Sequence, residues 1–285
     1  MRELLAAFSC TRLPSKLRVW STGPFEVSVR AQTVLRHLQR PDTAGVEVLK
    51  QSARRAVLRI RDYSPQQTSL IVKGFPLPKL ESRLKYKRYG LSEFVHYQEA
   101  RRQQIPAPAC YAYFEIRSWG LVTANGVLIE DLGQWRSLAQ WLAAEPQRQS
   151  ERLAQAIPVL SRLFETGVNH IDPSPQNMLL APAGSEARLI DWQYCSIVAP
   201  RQPAQLLLQA THFLHYAKVP GDSPVGRHWV EQLWTAANPP AGAGSLASFV
   251  AAVGSLQRRG RVSASERLAL TLDANTARLL RGGCI

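Results

Sequence analysis

The stretch GVNHIDPSPQNMLLAPAGSEARLIDWQ, residues Gly167–Gln193, decides the fold of this chain. Two short apolar runs, Met178–Ala181 and Ala187–Ile190, are separated by the loop PAGSE. Short apolar runs joined by a glycine-containing loop of about five residues are typical of a β-hairpin. Antiparallel pairing of the two runs is expected to place Asn177 opposite Asp191, at the end of the hairpin away from its loop.

Three polar side chains are expected to meet at that end of the hairpin. Asp172 precedes Asn177 on the loop that leads into the first strand, and Asp191 follows the second strand. Mg²⁺ prefers oxygen ligands and keeps some of its water and phosphate ligands. We therefore predict that Asn177 and Asp191 hold Mg²⁺, and that Asp172 orients an acceptor hydroxyl and accepts its proton. This set suits phosphoryl transfer from ATP, which depends mainly on positioning and charge stabilisation.

The spacing of this loop matches the pattern His-x-Asp-x-x-x-x-Asn, which kinases place before a metal-binding aspartate. His170 and Asp172 begin the loop, Asn177 ends it, and Asp191 is the later aspartate. We expect His170 to be structural. Each of the other three also has an ordinary interpretation, as a turn residue, a cap or a strand-end carboxylate. The prediction of a kinase therefore depends on their joint spacing.

The sequence before this stretch predicts a small lobe built on a β-sheet. Apolar runs and turn residues indicate five strands and one helix. The strands are Gly45–Leu49, Ala56–Tyr63, Thr68–Phe75, Cys110–Arg117 and Gly126–Asp131, and the helix spans residues 91–104, stopping before Pro106 and Pro108.

These patterns predict an α+β, two-lobed protein-kinase-like fold. Its small N-terminal lobe is an antiparallel sheet with one helix over residues 45–131, and its larger, helical C-terminal lobe spans residues 132–285. Residues 1–44 are predicted to be an N-terminal extension with one helix near Val29–Leu38. In the C-terminal lobe, a helix over Arg152–Thr166 should be kinked or split at Pro158, because proline interrupts the hydrogen bonds of a helix interior.

A kinase also needs a lysine on the third strand of its small lobe, and Lys73 occupies that place. A lysine in an apolar strand is disfavoured unless it is paired. Glu93 and Glu99 on the following helix are both candidate partners, and we prefer Glu93 because it lies in the first turn. The alternative is that Lys73 is a surface residue on an edge strand.

The glycine-rich loop that usually covers the phosphates is missing between the first two strands. Arg54 and Arg55 lie in the turn there and are candidates to reach the phosphates instead. Glu130, Asp131 and Leu132 are expected to form the hinge between the lobes. There, main-chain groups of Glu130 and Leu132 would meet adenine.

The chain is strongly basic, with 35 Lys and Arg against 21 Asp and Glu and a formal net charge of +14. Such a surface attracts nucleic acid, an anionic membrane or an anionic substrate, and a solvated basic face without a partner is the alternative. No zinc finger or RNA-recognition strand motif is present, so we expect no specific nucleic-acid partner. Two basic clusters stand out: Lys79, Arg83, Lys85, Lys87 and Arg88, and Arg258, Arg259 and Arg261.

The sequence shows neither a run of about 18 apolar residues nor a convincing secretion signal, so we expect the protein in the cytoplasm. The four cysteines, Cys10, Cys110, Cys195 and Cys284, are scattered. Neither a disulfide framework nor a structural zinc site is therefore expected.

These residues resemble the bacterial lipopolysaccharide core kinases, the heptose and Kdo kinases of the protein-kinase-like superfamily. The resemblance covers roughly residues 45–215. It rests on Ile71-Val72-Lys73, on Ser92-Glu93-Phe94 shortly before Ile105–Pro108, and on the loop and later aspartate described above.

The resemblance implies that Lys73 and Glu93 form an ion pair, that Asp172 is the base, and that Asn177 and Asp191 bind the metal. It implies ATP and Mg²⁺ as cofactors. It also implies that the acceptor is a sugar hydroxyl of the lipid A–core, an anionic glycolipid. The protein would then act at the cytoplasmic face of the inner membrane, in peripheral contact with its anionic surface.

Two departures leave alternatives open. Trp192 and Gln193 follow Asp191 where eukaryotic protein kinases have Phe-Gly, and Pro173 and Pro175 stiffen the loop. The alternatives are a small-molecule kinase resembling the aminoglycoside or choline phosphotransferases, a protein Ser/Thr kinase, and a pseudokinase that binds lipid or protein without chemistry. Small-molecule kinases of this kind bind cationic acceptors in acidic pockets, which a basic chain fits poorly. The catalytic polar residues are all retained, which argues against a pseudokinase.

Overall fold

The computed structural model describes residues 9–12, 17–21, 45–61, 69–182 and 186–282. The chain divides into two compact units. The first comprises Met1–Arg101 and Pro108–Gly133, and the second comprises Arg102–Ala107 and Gln134–Ile285. The helix predicted near Val29–Leu38 lies outside the described residues.

The first unit contains a seven-stranded antiparallel sheet in the order β1-β2-β6-β7-β5-β4-β3. The strands are β1 Ser9–Arg12, β2 Leu17–Ser21, β3 Val46–Gln51, β4 Ala56–Ile60, β5 Leu70–Pro76, β6 Cys110–Ser118 and β7 Leu121–Glu130. β3 to β7 correspond to the five predicted strands.

The strands β1 and β2 differ from the sequence interpretation, which placed residues 1–44 in an extension outside the sheet lobe. β2 pairs with β6, from Leu17 opposite Ile116 to Ser21 opposite Ala112. Leu17 and Val19 alternate with less buried residues and enter the core of the sheet. This alternation spans only five residues, which is too short to stand out among isolated apolar residues.

Two helices follow β5 in the first unit: α1, Leu80–Leu84, and α2, Gly90–Arg102. The apolar face of α2 includes Leu91, Phe94 and Tyr97, which are buried. The helix ends at Arg102, before Pro106, as the sequence predicted. Proline removes a backbone donor and restricts the residue before it, so the helix could not continue.

The second unit is mainly helical. Its helices are α3 Leu138–Ala144, α4 Gln149–Ala154, α5 Ile157–Thr166, α6 Pro203–Ala217, α7 Pro224–Ala237, α8 Leu246–Arg259, α9 Ala264–Ala269 and α10 Ala274–Leu280. The predicted split at Pro158 is present. α4 ends at Ala154, and Pro158 lies in the first turn of α5, where its missing N–H costs nothing.

Short strands within the second unit form the hairpin and its surroundings. They are β8 Arg136–Ser137, β9 Val168–His170, β10 Met178–Leu180, β11 Ala187–Leu189 and β12 Cys195–Ile197. β10 lies between β11 and β8, and β12 pairs with β9. The helices pack around large buried rings, of which Phe213 on α6 and Trp229 on α7 stack with centroids 4.8 Å apart.

In the part of the chain that the structure describes, none of the helices has both the length and the apolar character needed to cross a membrane.

Candidate active site

The predicted hairpin is present, with a register that differs by one residue from the expected one. Met178 pairs with Leu189, and Leu180 pairs with Ala187. The backbone N–H of Ile190 donates to the carbonyl of Asn177 at 2.9 Å. Asn177 therefore lies opposite Ile190, and Asp191 comes one residue beyond, because next to the loop Ala181 pairs with Glu186 and not with Ala187.

Asp191 leaves the hairpin in a left-handed backbone conformation, with φ of 67°. Residues other than glycine seldom adopt this conformation, although Asp and Asn tolerate it better than most. The turn of the chain at Asp191 directs the backbone away from the ladder immediately after Ile190. Such a conformation at a single polar residue is a frequent mark of a functional position.

Asp172 and Asn177 are in direct contact across the loop. The side-chain Nδ2 of Asn177 donates to Oδ2 of Asp172 at 2.9 Å and to the Asp172 carbonyl at 3.0 Å. These bonds fix the carboxylate and use the nitrogen end of the amide. The oxygen end of Asn177 therefore remains the atom suited to a hard cation such as Mg²⁺.

His170 links the loop to the hairpin. Its Nδ1 accepts the backbone N–H of Asp172 at 3.2 Å, and its Nε2 lies 3.2 Å from the carbonyl of Ile190. A carbonyl can only accept, so Nε2 carries the proton and the ring is neutral. His170 is fully buried, and its ring meets Trp192 edge-on with centroids 4.9 Å apart. This supports the structural role that the sequence predicted for His170.

Trp192, which follows Asp191 in place of phenylalanine, is a core residue. Its side chain is fully buried, and its Nε1–H donates to the carbonyl of Leu189 at 2.7 Å. The polar tip of the buried indole is therefore satisfied, as is usual for buried tryptophan. Trp192, which replaces the phenylalanine of the Phe-Gly pattern, therefore packs in the core against the hairpin.

His212 on α6 is a site residue that the sequence reasoning missed. Its Nε2 lies 2.7 Å from Oδ1 of Asp172, and its side chain is almost completely buried. Burial lowers the pKa of His212, and although the hydrogen bond that His212 donates to Asp172 opposes this shift, the net pKa lies below the usual 6.5. A neutral imidazole donating to the carboxylate is therefore the form present near neutral pH.

The environment of Asp172 keeps its carboxyl group ionised. Burial raises the pKa of Asp172, but the hydrogen bond from His212, the charge that His212 carries once it is protonated at low pH, and the hydroxyl of Ser174 outweigh burial and lower the pKa to about 2. Half of the Asp172 side chain is exposed. Asp172 is thus an oriented, accessible and ionised carboxylate that can accept a hydrogen bond from a hydroxyl group.

Arg267 on α9 is the second residue that the sequence reasoning missed. Its buried guanidinium donates to the carbonyls of Ile171 and Val262, and its own carbonyl accepts Nδ2 of Asn169 at 2.9 Å. Arg267 therefore contacts the backbone of Ile171 and the side chain of Asn169, the two neighbours of His170. Burial lowers the pKa of Arg267, and the charge of Asp172 opposes this shift.

A buried ion pair occupies the first unit. Nζ of Lys73 on β5 lies 2.7 Å from Oε1 of Glu93 on α2, and both side chains are buried. The structure thus places the preferred candidate partner against Lys73. A buried charge pair needs such close geometry, because desolvation costs several kcal/mol for each ion.

Two glycines allow α2 to approach the sheet at this point. A Cβ on Gly90 would lie 2.7 Å from the Cα of Gly126 on β7, and a Cβ on Gly126 would lie 2.2 Å from the carbonyl oxygen of Lys73. Neither position can accept a side chain without a shift of backbone. The close contact lets the first turn of α2 carry Glu93 to Lys73.

The turn between β3 and β4 places Arg55 beside the same aromatic ring as Lys73. The Arg55 guanidinium lies 5.7 Å from the centroid of the Phe75 ring, and Nζ of Lys73 lies 5.6 Å from the same centroid. Of the two arginines that the sequence offered as phosphate contacts, Arg55 is therefore the one with a described link to Lys73.

The predicted hinge residues take part in contacts at the end of β7. The N–H of Glu130 donates to the carbonyl of Ala109 at 2.8 Å, and the N–H of Ala109 donates to the carboxylate of Glu130 at 2.9 Å. Asp131 accepts from Ser69 at 2.5 Å and pairs with Arg59 at 2.8 Å. Burial raises the pKa of Asp131, but these partners give a net lowering. Leu132 follows directly.

Comparison with known families supports the kinase interpretation. A family model described as the lipopolysaccharide kinase (Kdo/WaaP) family matches residues 80–205, somewhat less than half of the chain. The match includes the hairpin, the His-x-Asp loop and α2. The resemblance to the lipopolysaccharide core kinases is thus confirmed. The chain is an ATP-dependent kinase.

The fold of this kinase is similar to that of a solved structure, WaaP in complex with acyl carrier protein. The TM-score is 0.54 at 15% sequence identity, and the match covers 78% of this chain and 88% of that chain. The predicted α+β, two-lobed protein-kinase-like fold is confirmed. A search of curated proteins gave no match.

The matched segment of this kinase includes Glu93, Asp172, Asn177 and Asp191. His212 and Arg267 lie beyond it, in the C-terminal third, for which the sequence offered no motif. One signal was available: His212 lies in a helical run rich in leucine and alanine, where a buried imidazole needs a polar partner.

Proposed function

We propose that this kinase transfers the γ-phosphoryl group of ATP to a sugar hydroxyl of the lipopolysaccharide inner core. The observation that supports this most strongly is the arrangement around Asp172. Its carboxylate is held by His212 and Asn177 and kept ionised by a pKa of about 2. A carboxylate fixed in this way can orient an acceptor hydroxyl and take its proton as the phosphoryl group arrives.

In this proposal, Asn177 and Asp191 hold Mg²⁺. Their amide and carboxylate oxygens fit the preference of Mg²⁺ for a few hard ligands, with waters and phosphate oxygens completing the shell. When bound, Mg²⁺ would neutralise charge that develops on the phosphates. The protein residues then orient the acceptor, remove its proton and hold the reacting groups in line.

The nucleotide contacts are assigned to residues of the first unit. Lys73, oriented by Glu93, would bind phosphate oxygens of ATP, and Arg55 would assist in place of a glycine-rich loop. Main-chain groups of Glu130 and Leu132 would meet adenine. The ion pair supports this assignment, because it fixes the direction of a long, flexible lysine side chain.

The acceptor class is supported by the resemblance and by charge. A net charge of +14 suits an anionic glycolipid held at an anionic membrane surface. We therefore place the activity at the cytoplasmic face of the inner membrane, reached by peripheral contact. A small cationic acceptor would fit this basic chain poorly, and a catalytically silent pseudokinase would have no need for an ionised, oriented Asp172.

The test is ADP release in the presence and absence of purified lipopolysaccharide core, with Mg²⁺. Asp191→Asn should abolish core-stimulated release while the fold is retained. Asp222→Asn is the matched control, because Asp222 is an exposed carboxylate in the second unit whose described partner is Arg258. It should behave as wild type.

Phosphate transferred to a core sugar by wild type and the control, but not by Asp191→Asn, would support the proposal. ATP turnover that is stimulated only by a small amine-containing acceptor or a protein would replace the proposed substrate. MgATP binding without turnover on any acceptor would favour the pseudokinase.

A further inference from the structure

The short helix α1 presents two leucines to solvent. Leu80 is 60% exposed and Leu84 is 68% exposed. They are four residues apart, so they lie on the same face of the helix. Side chains this exposed contribute little to the packing of their own unit. Apolar residues grouped on one exposed face often mark an interaction site.

Basic residues surround these leucines. The segment Lys79–Arg88 contains five basic residues and one acidic residue, Glu81. Lys79, Lys85, Lys87 and Arg88 are exposed. The fifth, Arg83, donates from Nε to the carbonyl of Leu77 at 2.9 Å and so anchors the helix to its own unit. The surface therefore combines apolar tips with a local excess of positive charge.

Trp119 adds a third apolar group, in the turn between β6 and β7. It is 96% exposed and has a left-handed φ of 51°, and Gly120 follows with φ of 79°. Two successive positive φ values are typical of a type I′ turn, which favours Asn-Gly over a bulky residue. Neither the turn conformation nor packing accounts for a tryptophan at this position.

The turn and α1 lie at the same end of the sheet. β5 ends at Pro76, which is opposite Ala124 on β7, and the N–H of Leu77 donates to the carbonyl of Thr123 at 2.9 Å. β7 begins only two residues earlier, at Leu121, directly after the turn. The helix α1 follows Leu77 and packs against β7.

We propose that Lys79–Arg88 together with Trp119 form a docking surface for an anionic lipid bilayer. Leucine and tryptophan side chains enter the boundary between headgroups and acyl chains, while lysine and arginine meet the lipid phosphates. A soluble polyanion would neutralise the basic residues and leave the three apolar side chains in water. The combination of both chemistries therefore favours a bilayer.

The proposal depends on the proposed function only for its purpose, because a lipid-linked acceptor requires the enzyme to work at a membrane. Its test does not depend on catalysis. Binding is measured by cosedimentation with vesicles of phosphatidylglycerol and phosphatidylethanolamine, and with vesicles of phosphatidylcholine alone.

The apolar variant is Leu80→Ser with Leu84→Ser and Trp119→Ser, and the charge variant is Lys79→Glu with Lys87→Glu. Each has a matched control. Val48→Ser with Leu49→Ser changes exposed apolar residues on β3, and Arg227→Glu with Arg278→Glu makes the same change in net charge on exposed arginines of the second unit.

We expect wild type to bind the anionic vesicles and to bind phosphatidylcholine weakly. The charge variant should lose about 20-fold or more in apparent affinity, since each basic residue near an anionic surface contributes about fivefold. The apolar variant should lose at least about tenfold, and both controls should bind as wild type. Phosphorylation of deacylated, soluble core oligosaccharide should be unchanged in all variants.

Equal loss of binding in the variants and their controls would overturn the assigned surface. Failure of wild type to bind anionic vesicles would overturn the lipid partner, and capture of an acidic protein by this surface would then identify a different occupant. If vesicle binding depends on the surface but no core sugar is phosphorylated, the proposed function fails and the docking surface stands.

Discussion

Nε2 of His212 lies 2.7 Å from Oδ1 of Asp172, and this contact joins the candidate base to the buried face of α6. Asn177 holds the other carboxylate oxygen at 2.9 Å. The two partners fix the carboxylate plane from opposite oxygens, so the direction in which Asp172 can accept a proton is set by the second unit itself.

His212→Gln is expected to lower kcat for core phosphorylation by about 10- to 100-fold, because misplacement of a reacting group by about 1 Å can cost this much. The KM for ATP should change little. Steady-state kinetics with MgATP and core acceptor measure kcat and the KM for ATP separately. His215→Gln is the control, since His215 lies on the same helix and is exposed. An unchanged kcat in His212→Gln would contradict a positioning role.

The stability of the fold should depend on pH through His212. Burial is the largest cause of its lowered pKa, so the unfolded chain binds a proton more readily than the folded chain. Stability from the neutral, buried form is fully present above the usual value of 6.5, and it is lost as pH falls through the lower folded pKa. Urea unfolding between pH 8 and pH 5 should show this decline.

His212→Gln should flatten that decline, because glutamine does not titrate. The remaining slope would come from other groups, including Asp172, whose lowered pKa also favours the folded state above its usual value and loses that contribution as pH falls toward 2. An identical slope in wild type and variant would show that His212 does not titrate in this way.

Lys73→Met should lower the free energy of unfolding by about 3–5 kcal/mol, because it leaves the carboxylate of Glu93 buried without its ion-pair partner. The double variant Lys73→Met with Glu93→Leu should recover most of that loss while remaining inactive. Chemical unfolding and ADP release measure the two effects separately. If the double variant recovered activity, Lys73 could not be a required contact of the nucleotide.

Gly126→Ala should destabilise the first unit by about 1–3 kcal/mol, because the added methyl group meets the Lys73 carbonyl and the Phe114 ring. It should also raise the KM for ATP by displacing β5. Gly242→Ala is the control, since a Cβ there meets nothing within 4 Å. Thermal unfolding of both variants tests this expectation, and equal melting temperatures would contradict it.

Local patterns carried much of the fold and of the candidate site. The hairpin and the His-x-Asp spacing lie within 27 consecutive residues, Gly167–Gln193, so their relation needs no knowledge of distant contacts. Lys73 and Glu93 could be proposed as partners because a charged residue in an apolar strand requires one. The register error at Asn177 arose because an apolar run does not show which residue makes the last ladder bond.

Other parts of the site could not be predicted from local pattern. His212 and Arg267 are 40 and 96 residues from the loop atoms that they contact. Their roles come from tertiary packing, and no spacing in the sequence joins them to Asp172. The strands β1 and β2 were missed for a related reason, because β2 joins the sheet by pairing with the remote strand β6, and β1 joins it only through β2.

The tie between Arg267 and the carbonyl of Ile171 also has a consequence for biosynthesis. The loop around Asp172 is translated long before α9, yet it receives this support only after residue 267 has left the ribosome. A prematurely terminated chain can thus contain every residue of the kinase pattern and still lack the hydrogen bond from Arg267 to the carbonyl of Ile171, next to Asp172.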